Sequence, residues 1–112
     1  MSKTPEQDPS GISQHSPGAK LDDGKTKAGV LADFSLALLA VAEVGTFGAE
    51  KYTRGGWQSV PNGIERYADA EWRHRLKESQ ELFDADSGLR HAAHKAWNAL
   101  ANLELVLRES QD

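Results

Sequence analysis

The chain has no cysteine, and that removes disulfide scaffolds, thiol nucleophiles and thiolate zinc sites at once. Basic charge is also short: 13 Lys and Arg stand against 17 Asp and Glu, for a formal net charge of −4. The basic residues are scattered, so the electrostatic stripe needed to bind a nucleic acid is missing. Membrane-directing sequence is scarce as well. Met1-Ser-Lys-Thr-Pro-Glu6 has no apolar segment of the kind a secretory signal carries. The longest apolar run, 34–49, is short for a bilayer span and carries Glu43 in its middle. A cytoplasmic protein with neither nucleic-acid nor membrane partners is the expectation. Proline is sparse too, and three of the four prolines fall within residues 1–19.

That first segment, with Ile12 as its only β-branched aliphatic residue, offers too little apolar surface to offset ordering entropy. A mobile arm over 1–19 and one domain over 20–112 follow as the expected organisation. Asp22-Asp-Gly24 is turn chemistry, and Lys20 and Lys25 flank it where they could reach a phosphate.

The rest reads as helix. A first helix is expected from near Leu31 or Asp33 towards Tyr52, apolar almost all round between Phe34 and Val44. Glu43 is the only charge between Asp33 and Glu50. A carboxylate buried there must be paired (Arg73 is a candidate cation), neutralised or bound to metal. Metal binding is the reading preferred here, because the other site-like residues are His and Asp. Gly45 and Gly48 weaken the helix and mark a kink, a close crossing or an approach to ligand. Loop chemistry follows through Gly63, and a second helix is expected over 64–79, with Asp69 and Arg73 at i, i+4 spacing.

A third helix, from about Gly88 to about Arg108, sorts its residues into two stripes. Leu89, Ala93, Ala96, Leu100, Leu103 and Leu107 lie on one side; His91, His94, Asn98 and Asn102 lie on the other. Solvated faces are usually built from Lys, Glu, Gln and Arg. Two imidazoles and two carboxamides fed by an acidic turn suit the lining of a site, or else a polar seam in a bundle. Asp86 or Ser87 is placed to cap this helix, whereas Asp84 has no evident capping role and is the better ligand candidate. His74 alone would be a packing residue, and Trp97 borders the leucine stripe. The fold class is therefore all-α: a small bundle of about three main helices, with a core thin enough to call for completion by a homodimer or higher homo-oligomer.

Lys20-Leu-Asp-Asp-Gly-Lys25, Ala42-Glu-Val with Gly48-Ala-Glu-Lys-Tyr52 and Trp57, Tyr67 with Arg73-His74, and Asp84-Ala-Asp-Ser-Gly-Leu with His91-Ala-Ala-His94 and Asn98 follow one another in order. That order resembles the small phage and bacterial dATP/dGTP diphosphohydrolase family, distantly similar to the all-α MazG-like nucleoside triphosphate pyrophosphohydrolases. The resemblance covers about residues 20–107. It implies a metal-dependent cut of dATP or dGTP to a nucleoside monophosphate and pyrophosphate. It also implies functional positions at Glu43, Lys51, Tyr52, Trp57, Arg73, His74, Asp84, Asp86, His91, His94 and Asn98.

Two departures shape the expected site. The MazG-like pattern places a second carboxylate three residues after the first, but position 46 is Thr; where its second acidic pair would align, the chain has His91 and His94. The expected cofactor is a divalent metal, Mg²⁺ or Mn²⁺, with Co²⁺ or Fe²⁺ as options better suited to imidazole. Glu43, His74, Asp84, His91 and His94 are the expected ligands. Lys51 and Arg73 would neutralise phosphate charge beside them, Lys20 and Lys25 would close over the phosphates, Tyr52 or Trp57 would stack on the base, and Asn98 would hydrogen-bond it. The rival readings are a non-catalytic helical oligomer that binds metal or nucleotide, and a phosphohydrolase releasing single phosphates.

Overall fold

The computed structural model describes residues 5–110. It divides into two units, Met1–Asp33 and Phe34–Asp112, each described here by itself. In the first unit the Asp8 carboxylate organises the loops, accepting from the amides of Ser10 (2.7 Å), Lys20 (2.8 Å) and, at longer range, Ile12 (3.5 Å). These bonds hold the Asp8 carboxyl below the usual range, the Lys20 amide being the largest cause.

The second unit is built from three α-helices: α1 (Ser35–Lys51), α2 (Gly63–Glu78) and α3 (His91–Glu109). A 3₁₀ stretch, Ala28–Phe34, leads into α1, and a shorter one, Gly56–Ser59, precedes α2. All-α architecture is as the periodicity predicts, and the observed bounds of α2 lie within one residue of the expected 64–79. Among the described residues the only β pairing is an isolated antiparallel bridge between Phe83 and Arg90. With its 3₁₀ entry the first helical segment, Ala28–Lys51, reaches 24 residues, long and apolar enough by length and composition to cross a bilayer. The 34–49 run alone falls short of that length. Glu43 and Glu50 are both exposed on this segment, where contact with lipid would leave their charges uncompensated.

α3 is the hub, packing along α2 and, less extensively, against α1. Two glycines set the crossings. A Cβ at Gly45 would sit 3.0 Å from the Trp97 Nε1, and one at Gly63 would sit 2.9 Å from Leu105 Cδ1. Gly45 is thus a close-crossing residue, as its place in the apolar run suggests, while a Cβ at Gly48 would meet nothing within 4 Å. Gly45→Val is expected to overpack the α1–α3 crossing and cost about 1–3 kcal/mol, read from the urea midpoint. A shift no larger than that of Gly48→Ala would contradict this crossing.

The interior differs from the leucine-lined core that bundle packing suggests. Its buried apolar residues are Val44, Ala93 and Ala101, and its buried polar residues are His91, His94 and Asn98. The His and Asn stripe of α3 is the one turned inward. Leu100, Leu103 and Leu107 each stay 51–54% exposed. On α1, Leu36 and Leu39 are also largely exposed. The burial expected for Glu43 is not found either: it lies on the exposed side of α1, with Val44 taking the buried position beside it. Apolar surroundings in sequence bury a residue only if another element covers that face, and among the described residues of this unit none covers this one.

Candidate metal centre

The segment between α2 and α3 explains how the site is assembled. α3 begins at His91 rather than near Gly88, and its N-cap, Arg90, has extended backbone and makes no side-chain cap. Neither Asp86 nor Ser87 caps the helix. Residues 82–91 instead close a hairpin: the His91 amide donates to the Leu82 carbonyl (3.0 Å), and the Asp84 amide donates to that of Leu89 (2.7 Å). Gly88, at φ +73°, supplies the left-handed residue that the reversal needs. Asp84 opens the turn, its Oδ1 accepting from the Ser87 amide (2.8 Å) and hydroxyl (3.1 Å). The helix cap expected of Asp86 or Ser87 is thus absent, and Asp84, for which no capping role was expected, is the residue whose side chain fixes the turn.

This hairpin brings Asp84 against His74 of α2 and His91 of α3. One donor atom from each of the three lies within 4.8 Å of the others. The rings of His74 and His91 face each other through their Nδ1 atoms at 2.9 Å. The second nitrogen of His91, Nε2, meets Glu81 Oε1 at 3.0 Å. An ionised carboxylate only accepts, so Nε2 carries the proton of the neutral ring and Nδ1 presents a lone pair towards His74; this tautomer is assigned from the bonding pattern. A carboxylate holding the far nitrogen of an imidazole is the usual support behind a metal-binding histidine.

His94, expected among the ligands, plays a supporting part in this geometry. Its Nε2 lies 2.6 Å from Ser87 Oγ, which in turn donates to Asp84 and accepts from the Leu89 amide (3.1 Å). The chain His94–Ser87–Asp84 fixes one carboxylate oxygen and leaves the other available. The His94 ring stacks on His74 with centroids 4.5 Å apart and planes 12° from parallel, and Phe47 of α1 meets His94 edge-on at 6.4 Å.

The electrostatics favour the ligating forms of His74 and Asp84. Burial first, then the neighbouring His94 and His91, lowers His74 from 6.5 to about 4. Burial likewise lowers His94. For Asp84, burial pushes upward, but the Ser87 amide and hydroxyl together with the two histidines outweigh it and hold the carboxyl below its ordinary value. A neutral His74 beside an ionised Asp84 supplies two donors suited to a divalent cation. The 2.9 Å between the two Nδ1 atoms is a hydrogen-bond distance, and a bound ion would take the place of the proton they share.

A pH prediction follows for the metal-free protein. Between about pH 6.5 and 4 the unfolded chain carries a proton on His74 that the folded chain does not. Stability from this group is therefore complete above pH 6.5 and is lost as pH falls towards 4. In chelator-treated protein the urea midpoint should drop from pH 7 to pH 5, and His74→Phe should flatten that drop. An unaltered slope in the variant would contradict it.

The other expected site residues are distributed more widely. Lys51, exposed at the end of α1, pairs with Asp86 at 2.7 Å, a contact that raises its pKa. Its Nζ lies 5.8 Å from the Phe47 ring and 5.5 Å from that of Tyr52, which is 73% exposed. Arg73 is exposed beside His74. Glu43 is outside the His74–Asp84–His91 grouping. Trp57 is spent on packing: it meets Tyr67 and Trp97 edge-on, the Tyr67 hydroxyl donates to its carbonyl (2.7 Å), and the Arg108 guanidinium lies over its ring. Asn98 is buried and donates to the His94 carbonyl (2.8 Å), while Asn102 donates to that of Ile64 (2.7 Å), so both carboxamides serve the bundle. In the first unit Lys20 contributes its amide to Asp8, and Lys25 pairs with Glu6 at 3.5 Å. Sequence reasoning missed Glu81, and it read Ser87 only as a cap. No spacing rule marks an acid ten residues before a histidine as its partner; only the hairpin juxtaposes them.

Fold and site together define an all-α domain with a histidine-rich donor cluster between two helices and the hairpin that joins them. The model of the dATP/dGTP diphosphohydrolase N-terminal family matches residues 15–112, and the chain belongs to that family. No curated protein and no solved structure matches it.

Proposed function

We propose that this chain is a metal-dependent deoxynucleoside triphosphate diphosphohydrolase acting on dATP or dGTP. Water is added across the Pα–O–Pβ link, and the products are the nucleoside monophosphate and pyrophosphate. Membership of the family supports the reaction class. The observation that carries the metal dependence is the closed donor set of His74, Asp84 and His91, each member held or faced by a second group.

Those three residues would hold the ion; when bound, it supplies Lewis-acid activation at the phosphate oxygens and at the attacking water. The remaining work belongs to the chain. Glu81 fixes the tautomer of His91, and Ser87 with His94 orients Asp84. Lys51 and Arg73 offset the charge on the phosphates. Lys51 must leave Asp86 to do so, and the exchange of one anion for another keeps its charge paired. Mg²⁺ and Mn²⁺ are both served by such a set, and its imidazoles favour Mn²⁺, Co²⁺ or Fe²⁺ over Mg²⁺.

The test is a panel of dNTPs offered with Mn²⁺ or Mg²⁺, with release of pyrophosphate and monophosphate followed. Inorganic phosphate as the product would favour the single-phosphate reading, and tight nucleotide binding without products would favour the non-catalytic one. Glu43 belongs to the same experiment. It is exposed on α1, one turn before the Phe47 that packs against His94, and we assign it a role on the substrate rather than ligation. Glu43→Gln should leave stability within about 0.5 kcal/mol and metal affinity unchanged while lowering turnover; undiminished turnover would remove Glu43 from the reaction.

A further inference from the structure

The outward side of α3 is apolar along most of its length and graded in size. At 100° per residue, Ala92, Ala96, Ala99, Leu100, Leu103 and Leu107 share one arc, opposite the buried His94, Asn98 and Ala101. The three alanines occupy its first half and the three leucines its second. Ala92 and Ala96 are exposed, Ala99 is half-buried, and each leucine is more than half exposed. No charged residue interrupts the arc. A monomer seldom leaves such a stripe in water.

We propose that α3 pairs antiparallel with α3 of a second copy of this chain, the leucine half of each helix lying on the alanine half of the other. The grading argues for this occupant over any other. An antiparallel copy related by a twofold axis near Ala99 and Leu100 matches large residues to small ones along the whole stripe, a distance of about 22 Å at 1.5 Å per residue. A parallel copy would set leucine against leucine at one end and alanine against alanine at the other, leaving the alanine end underpacked. The interior supplies an independent reason: the unit's buried apolar residues are Val44, Ala93 and Ala101, and so small a core gains its missing apolar contact from association. The chain therefore places its polar, ligand-bearing stripe within each protomer and its aliphatic stripe between protomers.

The absence of native cysteine gives a clean test on the full chain. Sedimentation equilibrium at micromolar concentration should show a dimer or a multiple of one. Leu100→Lys combined with Leu103→Lys should shift it to monomer. In case those variants lose their fold, single cysteines read the arrangement directly. Ala96→Cys mixed with Leu103→Cys should give a mixed disulfide under mild oxidation, whereas Leu107→Cys alone should give none, because an antiparallel pair holds its two copies far beyond the 7 Å that a disulfide tolerates. A monomeric wild-type chain would overturn the proposal, and so would a Leu107→Cys disulfide formed in preference to the mixed one. Capture of the wild-type chain on anionic vesicles as a monomer would also overturn it, giving the apolar faces to lipid.

Discussion

Asp84→Asn is expected to lower metal affinity by about 100-fold or more, with a parallel loss of dNTP hydrolysis at limiting metal. Losing a supporting group behind a ligand typically costs 10–100-fold, and a ligand itself should cost at least the upper end of that range. The substitution is close to isosteric, and the amide oxygen can still accept from the Ser87 amide and hydroxyl that now bind Oδ1. The hairpin should therefore persist, and a thermal midpoint near that of the wild type would separate loss of ligation from loss of fold. Ser87→Ala provides the graded companion: it removes the hydroxyl that links His94 to Asp84 without removing a donor. Its affinity should fall between wild type and Asp84→Asn.

His91→Ala is expected to fail differently. The ring is fully buried and joins α3 to both His74 and Glu81. Its removal leaves a cavity and an unpaired His74 nitrogen, for a loss of roughly 2–4 kcal/mol. Denaturant titration in the presence of chelator isolates this structural cost from the lost metal site. In a unit with so few buried apolar residues, that loss should bring the protein near its unfolding threshold. A variant as stable as wild type would mean that the ring is held by the site it serves and contributes nothing to packing.

The fold was largely legible from periodicity. Apolar spacing located three helices, and the composition of the α3 polar stripe set His91 and His94 apart from a solvated face, though not as the side turned into the bundle. His74 and Asp84 entered as ligand candidates chiefly through the resemblance and the acidic turn, and they do meet His91. Two things were not legible, for definable reasons. Periodicity says which residues share a face, but which face is covered depends on what else packs there; the leucines of α3 and the Glu43 side of α1 therefore read as interior and stand outside. Turn geometry was the second. Asp84-Ala-Asp-Ser-Gly resembles a helix start, yet Gly88 adopts a positive φ and the chain reverses into a hairpin before α3 begins. That reversal makes Asp84 a turn-stabilising acid and a ligand candidate together, and it brings in Glu81, which no local pattern singled out.

Cobalt titration followed by visible absorption tests the central claim most directly, since the ligand-field bands report the donor atoms as well as occupancy. The account requires one tight Co²⁺ per chain with a spectrum of mixed nitrogen and oxygen donors. That spectrum should be weakened by Asp84→Asn, altered by His74→Ala and retained in Glu43→Gln. Failure of Co²⁺, Mn²⁺ and Mg²⁺ alike to bind, or a Co²⁺ spectrum indifferent to Asp84 and His74, would contradict it.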